Sequence, residues 1–110
     1  MQVFTVSPGD EVMDSLTRQL AANGITDGAV VSLIGAVDAA TISNMPADDA
    51  SKDIITEYAQ PFELNGTGEI KNGSLHLHVT LGREGDAALA GHLHRATVAT
   101  FFVNAYVIAL

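Results

Sequence analysis

All four histidines of the chain lie in one stretch, Leu75 to Arg95 (LHLHVTLGREGDAALAGHLHR), as two His-x-His pairs: His76 with His78, and His92 with His94. A neutral imidazole is the commonest protein ligand for zinc and similar divalent metals. Three imidazoles leave a coordination position open for water or substrate, the arrangement catalytic zinc uses. A single His-x-His carries little information, whereas two pairs in a protein with no other histidine carry more. There is no cysteine, so a thiolate site and a disulfide framework are both excluded.

The pairs matter only if the backbone brings them together. Between them lies a polar, glycine-containing break, Gly82-Arg83-Glu84-Gly85-Asp86, and two alternating segments around such a break read as a β-hairpin. Alternate residues of a strand share a face. Leu75, Leu77, Val79 and Leu81 therefore fall on one face and His76, His78 and Thr80 on the other. On the second arm Leu89, Gly91 and Leu93 oppose Ala88, Ala90, His92 and His94. A turn centred on Gly85 superimposes the apolar faces and, unless a bulge shifts the alignment, sets His78 against His92 and His76 against His94. A slip by one residue would bury histidines among leucines. Opposed Cβ atoms lie roughly 4.5–5.5 Å apart, so three or four imidazoles crowd one patch. Three readings of the patch stand side by side: a divalent metal site, zinc foremost; a pH-sensitive surface; or polar strand residues facing solvent or an interface.

The rest of the chain must supply a scaffold. Met1 to Val6 reads as a strand. Ser7-Pro8-Gly9-Asp10 then reads as a helix start, with Ser7 as cap, Pro8 in the first turn, and Asp10 and Glu11 at the positive end of the dipole. Val12, Leu16 and Leu20, with Met13 and Ala21 beside them, form an apolar stripe for core packing, and Asn23-Gly24 ends the helix. Gly28 to Val37 reads as a buried strand in which Gly35 marks a bulge or a close approach, with Asp38 to Ser43 as its return. Asn44 to Lys52 reads as a loop whose Asp48 and Asp49 are solvated. Asp53 to Ala59 and Phe62 to Ile70 are further strands, the second made irregular by Gly66 and Gly68. Asn72-Gly73 is a tight hairpin turn. Thr97 to Leu110, apolar on both faces, reads as a central strand or an intersubunit contact.

Length and charge bound the function. One domain spanning residues 1–110 is expected from a chain of 110 residues. The absence of a signal pattern and of a long apolar run makes a soluble, cytoplasmic protein with no membrane association the expectation. The net charge is −8, and the five basic residues (Arg18, Lys52, Lys71, Arg83 and Arg95) are scattered. Nucleic-acid binding ordinarily rests on a basic patch, so charge argues against DNA as a partner. No nucleophile elbow, phosphate loop or His-Glu-x-x-His helix accompanies the histidines. Glu57, Glu63 and Glu69 are candidate general bases or partners of a metal ligand, and Glu84 and Asp86 join them only if the turn folds back; no reaction is specified.

The chain also resembles the PPC domain family (plants and prokaryotes conserved, also called DUF296), whose stand-alone prokaryotic members often carry a PD1-like DNA-binding label. The resemblance rests on SPGDEVMDSL, VVSLIGAVDAATI, ELNGTGEI and above all LHLHVTLGREGDAALAGHLHRATV. It implies an α/β fold of the α+β type: a strongly bent, mainly antiparallel sheet, one main helix and a homotrimer. It further implies His76, His78 and His92 as metal ligands, with His94 standing where many members carry an aliphatic residue. Plant members add a basic AT-hook that enters the DNA minor groove, and this chain has none. The expectation is a homotrimeric binding or regulatory module with a three-histidine metal site; the alternative is a small metal-dependent enzyme with its site near a subunit interface.

Overall fold

The computed structural model describes Met1 to Leu110 and builds one eight-stranded sheet in the order β1-β8-β2-β5-β6-β7-β3-β4. In chain order the elements are β1 (Gln2–Val6), α1 (Val12–Ala22), β2 (Gly28–Val37), β3 (Ala39–Asn44), β4 (Ile54–Tyr58), β5 (Phe62–Lys71), β6 (Ser74–Arg83), β7 (Ala87–Thr97) and β8 (Val103–Ala109). Every neighbouring pair is antiparallel. The expected class, a mainly antiparallel sheet with one helix, is the class observed.

The single helix explains the curvature. It packs against β1, at one edge of the sheet, and also against β6 and β7. In a flat sheet those strands would lie about 19–24 Å from β1, but a helix with its side chains is only about 10–12 Å across. The sheet therefore curls around α1. Bulges permit this: the register shifts in β2 between Val30 and Leu33, and between β3 and β7 at Thr41/Ile42. Inside the curl, Val12, Leu16 and Leu20 of the helix meet Val30, Leu33, Leu77, Val79, Leu81 and Leu93 in one core.

Several local expectations need correction. The helix begins later than Ser7-Pro8, because Gly9 adopts φ +99°, a left-handed conformation that no helical turn accommodates. Those residues instead form a turn held to the chain after β7, with the Gly9 amide donating to the Val98 carbonyl at 2.8 Å. Glu11 is the true cap; its carboxylate accepts from the amides of Met13 and Asp14 and, across to β7, from that of Ala96. Ala21 is exposed while Ser15 is buried, so the stripe is rotated slightly from the expected one.

Strand β3 is not the return of β2. It lies at the far side of the sheet between β7 and β4, because Asp38 diverts the chain: its carboxylate accepts from the Ala99 and Thr100 amides and the Thr100 hydroxyl. Nor is β2 buried on both faces, since Val31 and Ile34 are exposed. The expected C-terminal strand is shorter than Thr97 to Leu110, with residues 98–102 forming a connection before β8. Strand β8 lies between β1 and β2, but only Val103, Ala105 and Val107 are buried; its other face is uncovered. Gly35 is a close approach, as a Cβ there would strike the Phe102 carbonyl. Asn72 (φ 50°) and Gly73 (φ 77°) make the expected tight turn.

Candidate metal centre

Strands β6 and β7 pair from Arg83–Ala87 up to His78–His92, the expected register and one that satisfies face parity. Their inner side buries Leu77, Val79, Leu81 and Leu93. Burial thus drives His76, His78 and His92 to the outer side. The opposition of His76 and His94 does not form. Leu93 and Arg95 pair with consecutive residues of β3, Ile42 and Thr41, leaving His94 as the extra residue of a bulge. The β6–β7 ladder ends at His78–His92, next to this register shift on the other edge of β7.

One donor nitrogen from each of His76, His78 and His92 can be chosen so that all lie within 4.8 Å of one another. His76 Nε2 and His78 Nε2 are 3.1 Å apart. Tetrahedral zinc, with Zn–N bonds of about 2.0–2.1 Å, sets its ligand atoms about 3.3 Å apart. The His76–His78 separation already fits, and the widest spacing, up to 4.8 Å, would have to close by side-chain rotation when a metal binds. The His76 and His92 rings are 4.8 Å apart and those of His78 and His92 5.9 Å. His94 touches only the edge of this group, its ring 4.9 Å from that of His92, and it stays outside the set of three.

Electrostatics favour the ligating form. Partial burial holds His92 below the usual histidine range, and the neighbouring His76, His94 and His78 reinforce this, while the Asp53 carboxylate opposes it. His92 therefore presents a neutral imidazole, the species a metal binds.

Two glycines let the strands carry this cluster. A Cβ on Gly66 or Gly68 of β5 would strike the carbonyl oxygens of His78 and His76, so β5 can press against β6 behind the ligands only because both are glycine. Their pairing with β6 is regular, contrary to the irregular backbone expected; the irregularity lies in β2 opposite them. On the other side the Asn44 side-chain amide donates to the Ala90 carbonyl at 2.8 Å, tying the end of β3 to β7 beside His92.

Of the acidic candidates, Glu69 lies opposite His76 in the ladder. Glu57 faces Thr41 across β3–β4. Glu63, Glu84 and Asp86 border a separate cleft at the Gly85 end of the hairpin, so the turn does not fold back onto the histidines. Asp49 accepts from the Ser51 amide and hydroxyl and pairs with Lys52 at 3.8 Å, a locally satisfied loop carboxylate. The sequence reading missed Asp53. It follows the 45–52 loop, which returns it to a cleft shared with His78 and His92; no pattern in the residues themselves signals this.

A curled antiparallel sheet around one helix, with three converging histidines on its outer side, defines a small α+β protein bearing a candidate metal centre. The chain belongs to the Plants and Prokaryotes Conserved (PCC) domain family, whose model matches residues 1–110. Solved structures agree. A Bacteroides thetaiotaomicron protein described as a candidate DNA binder superposes with a TM-score of 0.83 at 26% identity, over 97% of this chain and 76% of its own. A metal-containing protein from Archaeoglobus fulgidus gives 0.76 at 25% identity, over 98% and 79%. A plant- and prokaryote-conserved protein from Pyrococcus horikoshii gives 0.76 at 21% identity, over 99% and 79%, and shares the fold. No curated protein matches the chain. No helix is long and apolar enough to cross a membrane.

Proposed function

We propose that His76, His78 and His92 hold a divalent metal, zinc, in a homotrimeric binding or regulatory module. The observation carrying this reading is the convergence of three imidazole nitrogens within 4.8 Å on the outer side of the sheet. The metal-containing description of the Archaeoglobus fulgidus relative supports it. Bound there, zinc would supply a Lewis acid and a water of lowered pKa. The protein's own part is to fix the three imidazoles on a paired ladder, with His92 held below the usual histidine range by partial burial.

The trimer draws support from the apolar residues the monomer leaves uncovered. Val3 on β1 and Ile108 on β8 are 51% and 42% exposed, with the exposed Phe102 just before β8. Exposed apolar groups gathered on one surface mark association sites. The alternative of a small metal-dependent enzyme is favoured by one feature, the cleft beside His78 and His92. DNA binding, suggested by the description of the Bacteroides thetaiotaomicron relative, is opposed by the net charge of −8.

Metal analysis and native mass measurement of the purified protein test the reading together. One zinc per chain is expected in a trimer, with the zinc lost in the combined His76→Ala, His78→Ala and His92→Ala variant. Stoichiometric metal in that variant would refute the site. Affinity for duplex DNA that is tight at low salt and falls steeply as salt rises would restore the nucleic-acid reading.

A further inference from the structure

A cleft of about 970 Å³ opens beside the triad, within the range of small-ligand sites. Its floor is the outer side of β2, β5, β6 and β7, and its far wall is the end of β3 with the 45–53 segment. His78 and His92 line it, so an open position on a metal held there would face the cleft. The floor offers neutral hydrogen-bonding groups, Asn65, Thr67 and Thr80, and the wall offers the Asp53 carboxylate.

The charge of this lining is one-sided. No lysine or arginine borders the cleft. The ion pairs of the chain join Arg18 to Asp14 and Lys52 to Asp49, so Asp53 is left without a cationic partner. A phosphorylated or otherwise anionic ligand would set its charge against Asp53 with only the metal to offset it. A cationic group at that wall would instead find an unpaired carboxylate.

We infer that the cleft takes a small cationic molecule that offers an oxygen donor to the metal at one end and an ammonium group to Asp53 at the other. This rests on the metal reading above. Three hydroxamates sharing a zinc-chelating head test it: β-alanine hydroxamate with an ammonium tail, propionohydroxamate with a neutral one, and succinic monohydroxamate with a carboxylate. Each is titrated calorimetrically into zinc-loaded protein whose metal content has been measured after dialysis.

The ammonium compound should bind about fivefold more tightly than the neutral one, a modest preference in keeping with a solvent-exposed charge pair. The carboxylate compound should bind most weakly. In Asp53→Asn, with zinc retained, the preference for the ammonium tail should vanish. If the order survives unchanged in Asp53→Asn, the bulk charge of the protein and not this carboxylate selects the ligand, and the inference falls. Equal or tighter binding of the carboxylate compound also overturns it. Protein that holds no zinc after loading overturns the metal reading and this inference together, an outcome the metal analysis separates from the others.

Discussion

The two sides of the β6–β7 ladder share a backbone and differ in everything else. The inner side carries Leu77, Val79, Leu81 and Leu93, each no more than 3% exposed. The outer side carries His76 and His78, both exposed, and His92, half-buried. One residue of strand separates a leucine that holds the fold from a histidine that can do chemistry. Stability and function are thus written on the same strands at alternate positions, and each should be separable from the other by substitution.

Substitutions on the inner side should have the largest effect on stability. Leu77→Ala should cost about 2–5 kcal/mol, the usual cost of emptying a buried leucine site, measured by urea denaturation. Metal stoichiometry should be retained wherever the variant is still folded. If Leu77→Ala left stability unchanged, the inner side would not be the core. Gly68→Ala comes next. Its methyl would press on the His76 carbonyl and the Leu77 side chain, and overpacking of this kind costs about 1–3 kcal/mol. Because the strain falls on the ligand-bearing strand, zinc affinity should fall with stability, whereas Leu77→Ala should spare it.

Asp38 provides a smaller, pH-dependent contrast away from the ladder. The Thr100 hydroxyl and the Ala99 and Thr100 amides hold its carboxylate below the ordinary range. A carboxyl whose pKa is lower in the folded state than in the unfolded one contributes stability that is complete above its unfolded value, about pH 3.9. That contribution disappears as the pH falls through the lower folded value. In Asp38→Asn the acid limb of the stability profile should be shallower there, and the Ala99 and Thr100 amides should exchange faster with solvent at neutral pH. An unchanged exchange rate would mean that other contacts hold the connection to β8.

The smallest effect is expected on the outer side itself. His94→Ala should change stability by no more than about 0.5 kcal/mol and leave one zinc per chain, because its ring stands outside the set of three. Loss of metal in that variant would extend the site to four histidines.

Much of the site was legible because strand periodicity is rigid. Leu77 and Leu93 must be buried, so His76, His78 and His92 must share the opposite side, and the polar break around Gly85 sets His78 against His92. The opposition of His76 and His94 failed for a reason parity cannot express. The sheet curls around α1, and the bulge that allows this falls at His94. A bulge is a response to tertiary curvature and leaves no mark on the local alternation of residues. The same applies to β3. Its composition reads as a strand, but its place beside β7 depends on Asp38 meeting a connection 60 residues later in the chain, through hydrogen bonds separated by 61 and 62 positions. Glu11 displaced Ser7 as helix cap because Gly9 takes a left-handed conformation to reach Val98, again a long-range contact.

By itself, then, the sequence determined which residues of the β6–β7 hairpin face inward, that three or four imidazoles gather on one side, and that no basic patch or thiolate accompanies them. These follow from local rules of side-chain alternation and from composition. Only the tertiary structure decided that His94 falls out of the cluster and that Asp53 reaches the cleft of His78 and His92. Those outcomes depend on how a sheet of eight strands wraps one helix, and the energy of that wrapping is shared among contacts too distant in the chain for any local pattern to encode.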